Sequence, residues 1–465
     1  MHLSARKSRF FILLDGNLSF MDVLLLSRIQ FAIHIIFHYL FPPLTIGLSV
    51  ILVVMEALFL IKKSTLYHHM TRFWVKIFSL LFAMGVATGI INLFGLGTNW
   101  AGFSKYVGGI FGSMLGAEAL FAFTLEAGFL GILLFGWNRV SHKIHFFSTL
   151  MVCLGAHLSG FWIVCVNSWM QTPAGFVMAG QGAEAHPVLT SFWEALFNPS
   201  SLVRLGHVYL GCWLSGAFLV CGISAYYLLK KREVDFARKS LTIALWFAAA
   251  SELLQLVSGD CSARSVAKWQ PAKLAAFEGV YETKPYTPAY LFGFPNSEEK
   301  RVKWGIKIPA LLSLMVHHDL KKPVTGLDQY PEEDWPPVSP VFHCYHLMVS
   351  IWAMMLLLIL WTIYQLWKKT QISTCCLRAL LLSPLLPIIA NLAGWISAEM
   401  GRQPWIVYGL LRTKEGLSAS ITSPQVFRSL LLIIFVESFI TCMALYLLWK
   451  KIQTGPEVEG RKEDV

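Results

Sequence analysis

Nine apolar stretches dominate the chain, at about 29–61, 73–98, 107–137, 144–169, 205–229, 240–258, 341–367, 379–398 and 429–449. Each is near or above the roughly 20 residues with which a helix crosses ~30 Å of hydrocarbon. Inside a bilayer, backbone N–H and C=O groups must be satisfied within the segment, so the runs are read as helices. Charged residues make up 14% of the 465 residues, where a soluble domain carries nearer a quarter. The expected fold class is an all-α polytopic membrane protein with about nine transmembrane helices.

The formal net charge of +11 invites a nucleic-acid reading, but the basic residues form no single patch. They fall in short clusters between apolar runs: Lys62, Lys63, Arg72 and Lys76; Arg139 and Lys143; Lys230, Lys231, Arg232, Arg238 and Lys239; Lys368, Lys369 and Arg378; Lys450 and Lys451. This is a pattern of membrane orientation, with no nucleic acid implied. The positive-inside rule puts these loops in the cytoplasm. An odd number of spans then puts the N-terminus outside and the C-terminus, with a tail at 451–465, inside. Residues 21–258 hold helices one to six and 341–450 helices seven to nine. The long loop between them, 259–340, lies outside and ends in Pro-rich PEEDWPPVSP. A loop of that length in a compact protein is usually functional. Residues 1–20 carry Arg6, Lys7 and Arg9 on the wrong side for this orientation, so translation is expected to start at Met21.

Several side chains are costly for a membrane protein and therefore informative. The stretch GWISAEMGRQPWIVYG (394–409) closes an apolar run with Glu399 and Arg402; a terminal ion pair is the ordinary alternative. His38 lies about nine residues into the first span, ~13 Å below its outer end. Pro42 lacks an N–H, which leaves the His38 carbonyl without its helical partner and kinks the chain there. His34, one turn earlier, is read as a core histidine. Glu118 and Glu126 share the third span, ~12 Å apart along the axis and about 80° around it. Two carboxylates at that depth suggest a proton relay or an ion site. His207 and Met348 sit near the outer ends of the fifth and seventh spans, and an imidazole with a thioether makes a low-spin haem site of raised potential. In the outer loop, QPAKLAAFE (270–278) sets Lys273 and Glu278 close together. They read equally as a solvated pair or as groups that meet a ligand's hydroxyls. Glu56, Glu252 and Glu437 are further intramembrane acids, read as structural. The nine cysteines form no CxxC or CxxCH, so any haem would be held without a covalent link.

Five motifs, the third of them split over two stretches, resemble, in order and spacing, subunit I of cytochrome bd-type quinol oxidases. They are SRIQFAIHIIFHYLFPPLTIG around His38, GSMLGAEALFAFTLEAGF around Glu118 and Glu126, and NPSSLVRLGHVYLG with VFHCYHLMVS around His207 and Met348. The others are QPAKLAAFE and the GRQPW string after Glu399. The resemblance runs from about residue 21 to 450. It implies a low-spin haem b held by His207 and Met348. It also implies a high-spin haem b and a haem d, or a further haem b in its place, near His38 and Glu399. Trp395 shares the face of Glu399 and is expected against a macrocycle. Glu118 and Glu126, with Ser159 as a weaker member, would deliver protons. Lys273 and Glu278 would serve quinol oxidation, and Arg402 is expected among the catalytic residues. NSWMQTP (167–173) is family-like but receives no sharp role. One departure stands out: His346 occupies the position of an arginine two residues before the methionine.

The implied protein is a haem-binding subunit of a terminal oxidase in the bacterial inner membrane. It would oxidise quinol at the outer face and reduce oxygen to water with cytoplasmic protons, building a gradient without a pump. A second large membrane subunit, and perhaps a small single-span one, would accompany it. A haem–copper oxidase is excluded because the intramembrane histidines are too few and wrongly spaced. A diheme cytochrome b that does not reduce oxygen, and a proton-coupled transporter using the buried glutamates, are the alternatives.

Overall fold

The computed structural model describes residues 22–368 and 371–456; residues 1–20 and the proposed start at Met21 lie outside them. Among the described residues, nine spans are long and apolar enough to cross a membrane. The first contains α1 (Val23–His38) and α2 (Pro42–Lys62), and the second is α3 (Thr65–Thr98). The third runs through α4 (Ala101–Ala117), a π-helical turn (Glu118–Phe123) and α5 (Thr124–Phe135). The fourth is α6 (His142–Gln171); after the short α7 (Phe192–Leu196) come α8 (Ser201–Leu229) and α9 (Val234–Trp269). Beyond the outer loop, with its helices α10 (Pro271–Glu278) and α11 (Leu311–His317), lie α12 (Val338–Trp367), α13 (Thr374–Leu382), α14 (Leu385–Met400) and α15 (Ser423–Thr454).

Local chemistry sets the helix ends. Asp22 accepts from Leu24 N and caps α1, Ser141 caps α6, and Thr422 with Gln425 forms a capping box on α15; such side chains satisfy orphan N–H groups. The kink expected after His38 is a full break, with α1 ending at His38 and α2 restarting at Pro42. The sixth span runs well past residue 258, to Trp269, through polar sequence in which Asp260 and Arg264 pair one turn apart. The π turn also alters the third span. One inserted residue removes about 100° of rotation, so Glu118 and Glu126 come nearly onto one face rather than lying 80° apart.

Three two-stranded antiparallel hairpins lie in the connections at the loop end: β1–β2 (Phe176–Ala179, His186–Leu189), β3–β4 (Ala289–Asn296, Arg301–Ile308) and β5–β6 (Trp405–Val407, Leu411–Arg412). At the opposite, basic end Arg72 lies over Trp137, Lys451 lies over Phe73 and Arg232 donates to Thr454 O. The outer loop has its own core, in which α10 sits among Leu312, Leu327 and Val341.

Helices α8, α9, α12 and α14 form a closed ring: α9 packs on α8 and α12, and α14 packs on α12 and α8. A second group, α2, α3, α5 and α6, surrounds the basic end of the first span. Where α2 crosses α8, Gly47 meets Gly216, and a Cβ on Gly47 would lie 2.8 Å from Gly216 N. Only small residues permit that approach.

Candidate functional site

Glu399 ends α14 at the centre of a polar cluster. Arg402 Nη2 donates to its Oε2 at 2.5 Å. Asn167 Nδ2 and Gln171 Nε2 donate to its Oε1 at 3.2 and 3.1 Å. Arg204 Nη2 holds Asn167 Oδ1 at 2.6 Å, and its guanidinium lies 5.6 Å from the Trp395 ring. Tyr39, next to His38, meets the other side of Trp395 edge-on at 5.8 Å. The neighbourhoods of His38 and Glu399 therefore adjoin through one aromatic contact.

The cluster extends into the outer loop. Lys273 Nζ donates to Gln171 Oε1, and the lysine stem lies against Gly401. Burial, and the nearby Arg402 and Arg204 charges, push the Lys273 amine well below its usual pKa, while Glu399 pulls the other way. Burial likewise lowers the pKa of Arg402, and Glu399 opposes it. Lys273 and Glu278 are 4% and 5% exposed, so neither is a solvated surface group. Burial raises Glu278 to about 7, against a hydrogen bond from Tyr345. Asn167 and Gln171 belong to the NSWMQTP stretch that the sequence left without a role. The signal was two amides one turn apart at a membrane helix end, legible only once Glu399 was known to face them. Arg204 was missed altogether.

His207 lies on α8 and Met348 on α12, helices on opposite sides of the four-helix ring. His207 Nδ1 is 3.0 Å from Ser258 Oγ, and Gln255 Nε2 is 3.3 Å from His207 Nε2. Met348 Sδ faces Gly394, where a Cβ would lie 2.8 Å from the sulfur. His38 Nδ1 is 3.0 Å from Thr88 Oγ1, and its Cε1 faces Gly89. Among the described residues Nε2 of His38 makes no hydrogen bond, which leaves its lone pair free for a metal. His346 bonds through Nδ1 to Phe342 O at 2.9 Å and through Nε2 to Tyr290 O at 2.8 Å. The Nε2 contact fastens β3 to α12 and the Nδ1 contact stays within α12, so His346 serves as a tether between the loop and the helix.

Deeper in the bundle, Ser159 Oγ donates to Glu118 Oε1 at 2.9 Å, joining two residues the sequence paired weakly. Glu126 is 5% exposed and sits against Gly155, where a Cβ would lie 2.7 Å from its own. His34 Nδ1 lies 3.5 Å from Glu437 Oε1, both side chains buried and without a hydrogen bond between them.

The donor set fits iron porphyrins. Imidazole, thioether and carboxylate are all iron ligands, and a glycine clears space beside His38 and Met348. Two guanidinium groups, Arg204 and Arg402, and the Lys273 amine surround one carboxylate. Arg402 Nε and Nη1 are buried with no partner among the described residues. Such donors suit an anionic group, as a propionate would be.

A nine-span bundle with ligand-type side chains gathered toward its loop end defines a polytopic membrane redox protein. The family model for cytochrome bd terminal oxidase subunit I matches residues 26–456. The chain is 35% identical over 502 residues to cytochrome bd-II ubiquinol oxidase subunit 1 of Escherichia coli (strain K12), covering 94% of this chain and 97% of the relative. It is 36% identical over 458 residues to cytochrome bd ubiquinol oxidase subunit 1 of Bacillus subtilis (strain 168), covering 95% and 96%. The solved bd oxidase from Geobacillus thermodenitrificans matches with a TM-score of 0.87 at 29% identity, over 94% of this chain and all of that one. The chain belongs to the cytochrome bd terminal oxidase subunit I family. It is a haem-binding oxidoreductase of electron transport, a quinol oxidase subunit of a bacterial membrane.

Proposed function

We propose that this subunit oxidises quinol beside the outer loop, near Lys273 and Glu278, and reduces oxygen to water beside Glu399 and His38. His207 and Met348 would hold a low-spin haem b. His38 and Glu399, with Trp395 nearby, would serve a high-spin haem b and a haem d or a further haem b in its place. When bound, these groups supply the electron path from quinol to oxygen.

The residues do the rest. Glu278, poised near neutrality, takes a proton from a quinol hydroxyl, and Lys273 orients the head group while fixed by Gln171. Arg402 and Arg204 hold anionic charge beside Glu399. Glu118, with Ser159 donating to it, and Glu126 hold protons in the bundle and pass them to the oxygen site. Release on the outer side and uptake from the cytoplasm separate charge without a pump. The N-terminus is then outside and the C-terminus cytoplasmic. A second large subunit, and a small single-span one, complete the assembly in the inner membrane.

The observation that carries this reading is the hydrogen-bonded line from Lys273 through Gln171 to Glu399. It joins a stretch read as quinol-binding to one read as oxygen-binding. The test is His207→Ala in the assembled complex. The low-spin haem signal should vanish while carbon monoxide still binds the other haems. An unchanged low-spin signal overturns the ligand assignment.

A further inference from the structure

The basic end of the bundle holds a second polar system that the reading above does not use. His145 Nδ1 lies 2.6 Å from Glu56 Oε1, with both side chains 2% exposed. His145 Nε2 lies 3.1 Å from Leu133 O. A carbonyl only accepts, so Nε2 carries a hydrogen. The short Nδ1 to Oε1 contact then shares one further proton, which sits on either the imidazole or the carboxyl. Thr149 donates its hydroxyl to Glu56 Oε2. The pair thus ties α2, α5 and α6 together around one transferable proton.

Two further observations separate this pair from a mere structural staple. The first is its link to the basic end. His145 stacks on Trp137 at 3.8 Å, Trp137 meets His68 at 5.1 Å, and His68 lies 6.3 Å from His142. Exposure grades along the series: His142 is exposed, His68 half-buried and His145 buried. The second is a polar stripe on α6 that continues inward. Thr149, Cys153 and His157 follow His145 at four-residue spacing, so each neighbours the next in a stripe that winds slowly around α6. Ser49 of α2 donates to Cys153 Sγ at 3.3 Å. Gly155, against which Glu126 rests, is ~15 Å along α6 from His145, and Ser159 is ~21 Å.

We propose that the Glu56–His145 pair is the intake of the proton route to Glu126 and Glu118. It draws protons from water through His142 and His68 and passes them inward past Thr149, Ser49 and Cys153. The inference rests on the reading that Glu126 and Glu118 carry protons for oxygen reduction. Each transfer breaks one N–H or O–H bond and makes another, and the pair returns to its neutral state after each. Water bridges the one-turn gaps between side chains.

The test uses the assembled complex in liposomes, fully reduced and given oxygen for a single turnover. Proton uptake is followed with a pH dye and haem content by spectrum. Glu56→Gln should slow uptake roughly tenfold or more with the haem spectrum intact, and Glu56→Asp should restore most of the rate. Glu126→Gln is run in parallel. Slow uptake in that variant, with a wild-type rate in Glu56→Gln, overturns the intake alone. Wild-type rates in both overturn the parent reading as well. If Glu56→Gln does not assemble, the double variant His68→Asn/His142→Asn decides, since neither residue is buried. Uptake slowed about threefold supports the intake, and an unchanged rate overturns it.

Discussion

Glu278 and Gln171 carry the sharpest residue-scale consequences. Burial raises Glu278 to about 7 from 4.5, so the folded protein holds that proton more tightly than the unfolded chain. This group therefore lowers stability as pH rises from 4.5 to about 7, and adds no further change above that. In turnover its basic form grows over the same range. The initial rate of quinol oxidation should rise between about pH 6 and 8, and Glu278→Gln should flatten that limb. An identical profile in the variant would remove Glu278 from the chemistry. Gln171→Leu cuts the link between Lys273 and Glu399 and leaves both buried charges short of a partner. Quinol oxidation should fall roughly tenfold, with haem content measured alongside to separate loss of coupling from loss of assembly. His38, Glu118 and Glu399 were legible in the sequence because a charged or ligand-type side chain in an apolar run is expensive. Arg204 and Gln171 were not, because their meaning lies in the partner they face.

Elements explain where the reading of boundaries succeeded and where it slipped. Hydropathy located all nine spans, since helix length is set by bilayer thickness. It missed the polar end of α9, where the helix continues through Asp260 and Arg264 to Trp269 without an apolar run to mark it. It also could not see the π turn at Glu118, a backbone irregularity with no sequence signature of its own. That α10 lies buried under the loop was equally hidden: QPAKLAAFE reads as a surface segment until Leu312, Leu327 and Val341 close over it. The α2–α8 crossing gives a stability prediction. Gly47→Leu forces a side chain into the Gly216 backbone and should cost about 1–3 kcal/mol or more. The check is the yield of haem-loaded complex and its thermal midpoint, and wild-type values would show that the helices separate freely.

At the scale of the molecule, the fold divides its work between two ends. The loop end gathers His207, Lys273, Glu278, Glu399 and Arg402, and the basic end presents the histidine series and Glu56. The acids Glu126 and Glu118 lie between. The proposed release of protons on one side and uptake on the other needs that separation. All of it depends on imidazole, thioether and carboxylate groups gripping iron porphyrins inside the bundle. The most direct measurement is a reduced-minus-oxidised spectrum of the purified complex with its companion subunit, with pyridine-haemochrome analysis of the extracted haem. The account predicts low-spin haem b together with two further haems per complex and quinol-dependent oxygen consumption. A colourless complex, or one with haem b that consumes no oxygen, would contradict it.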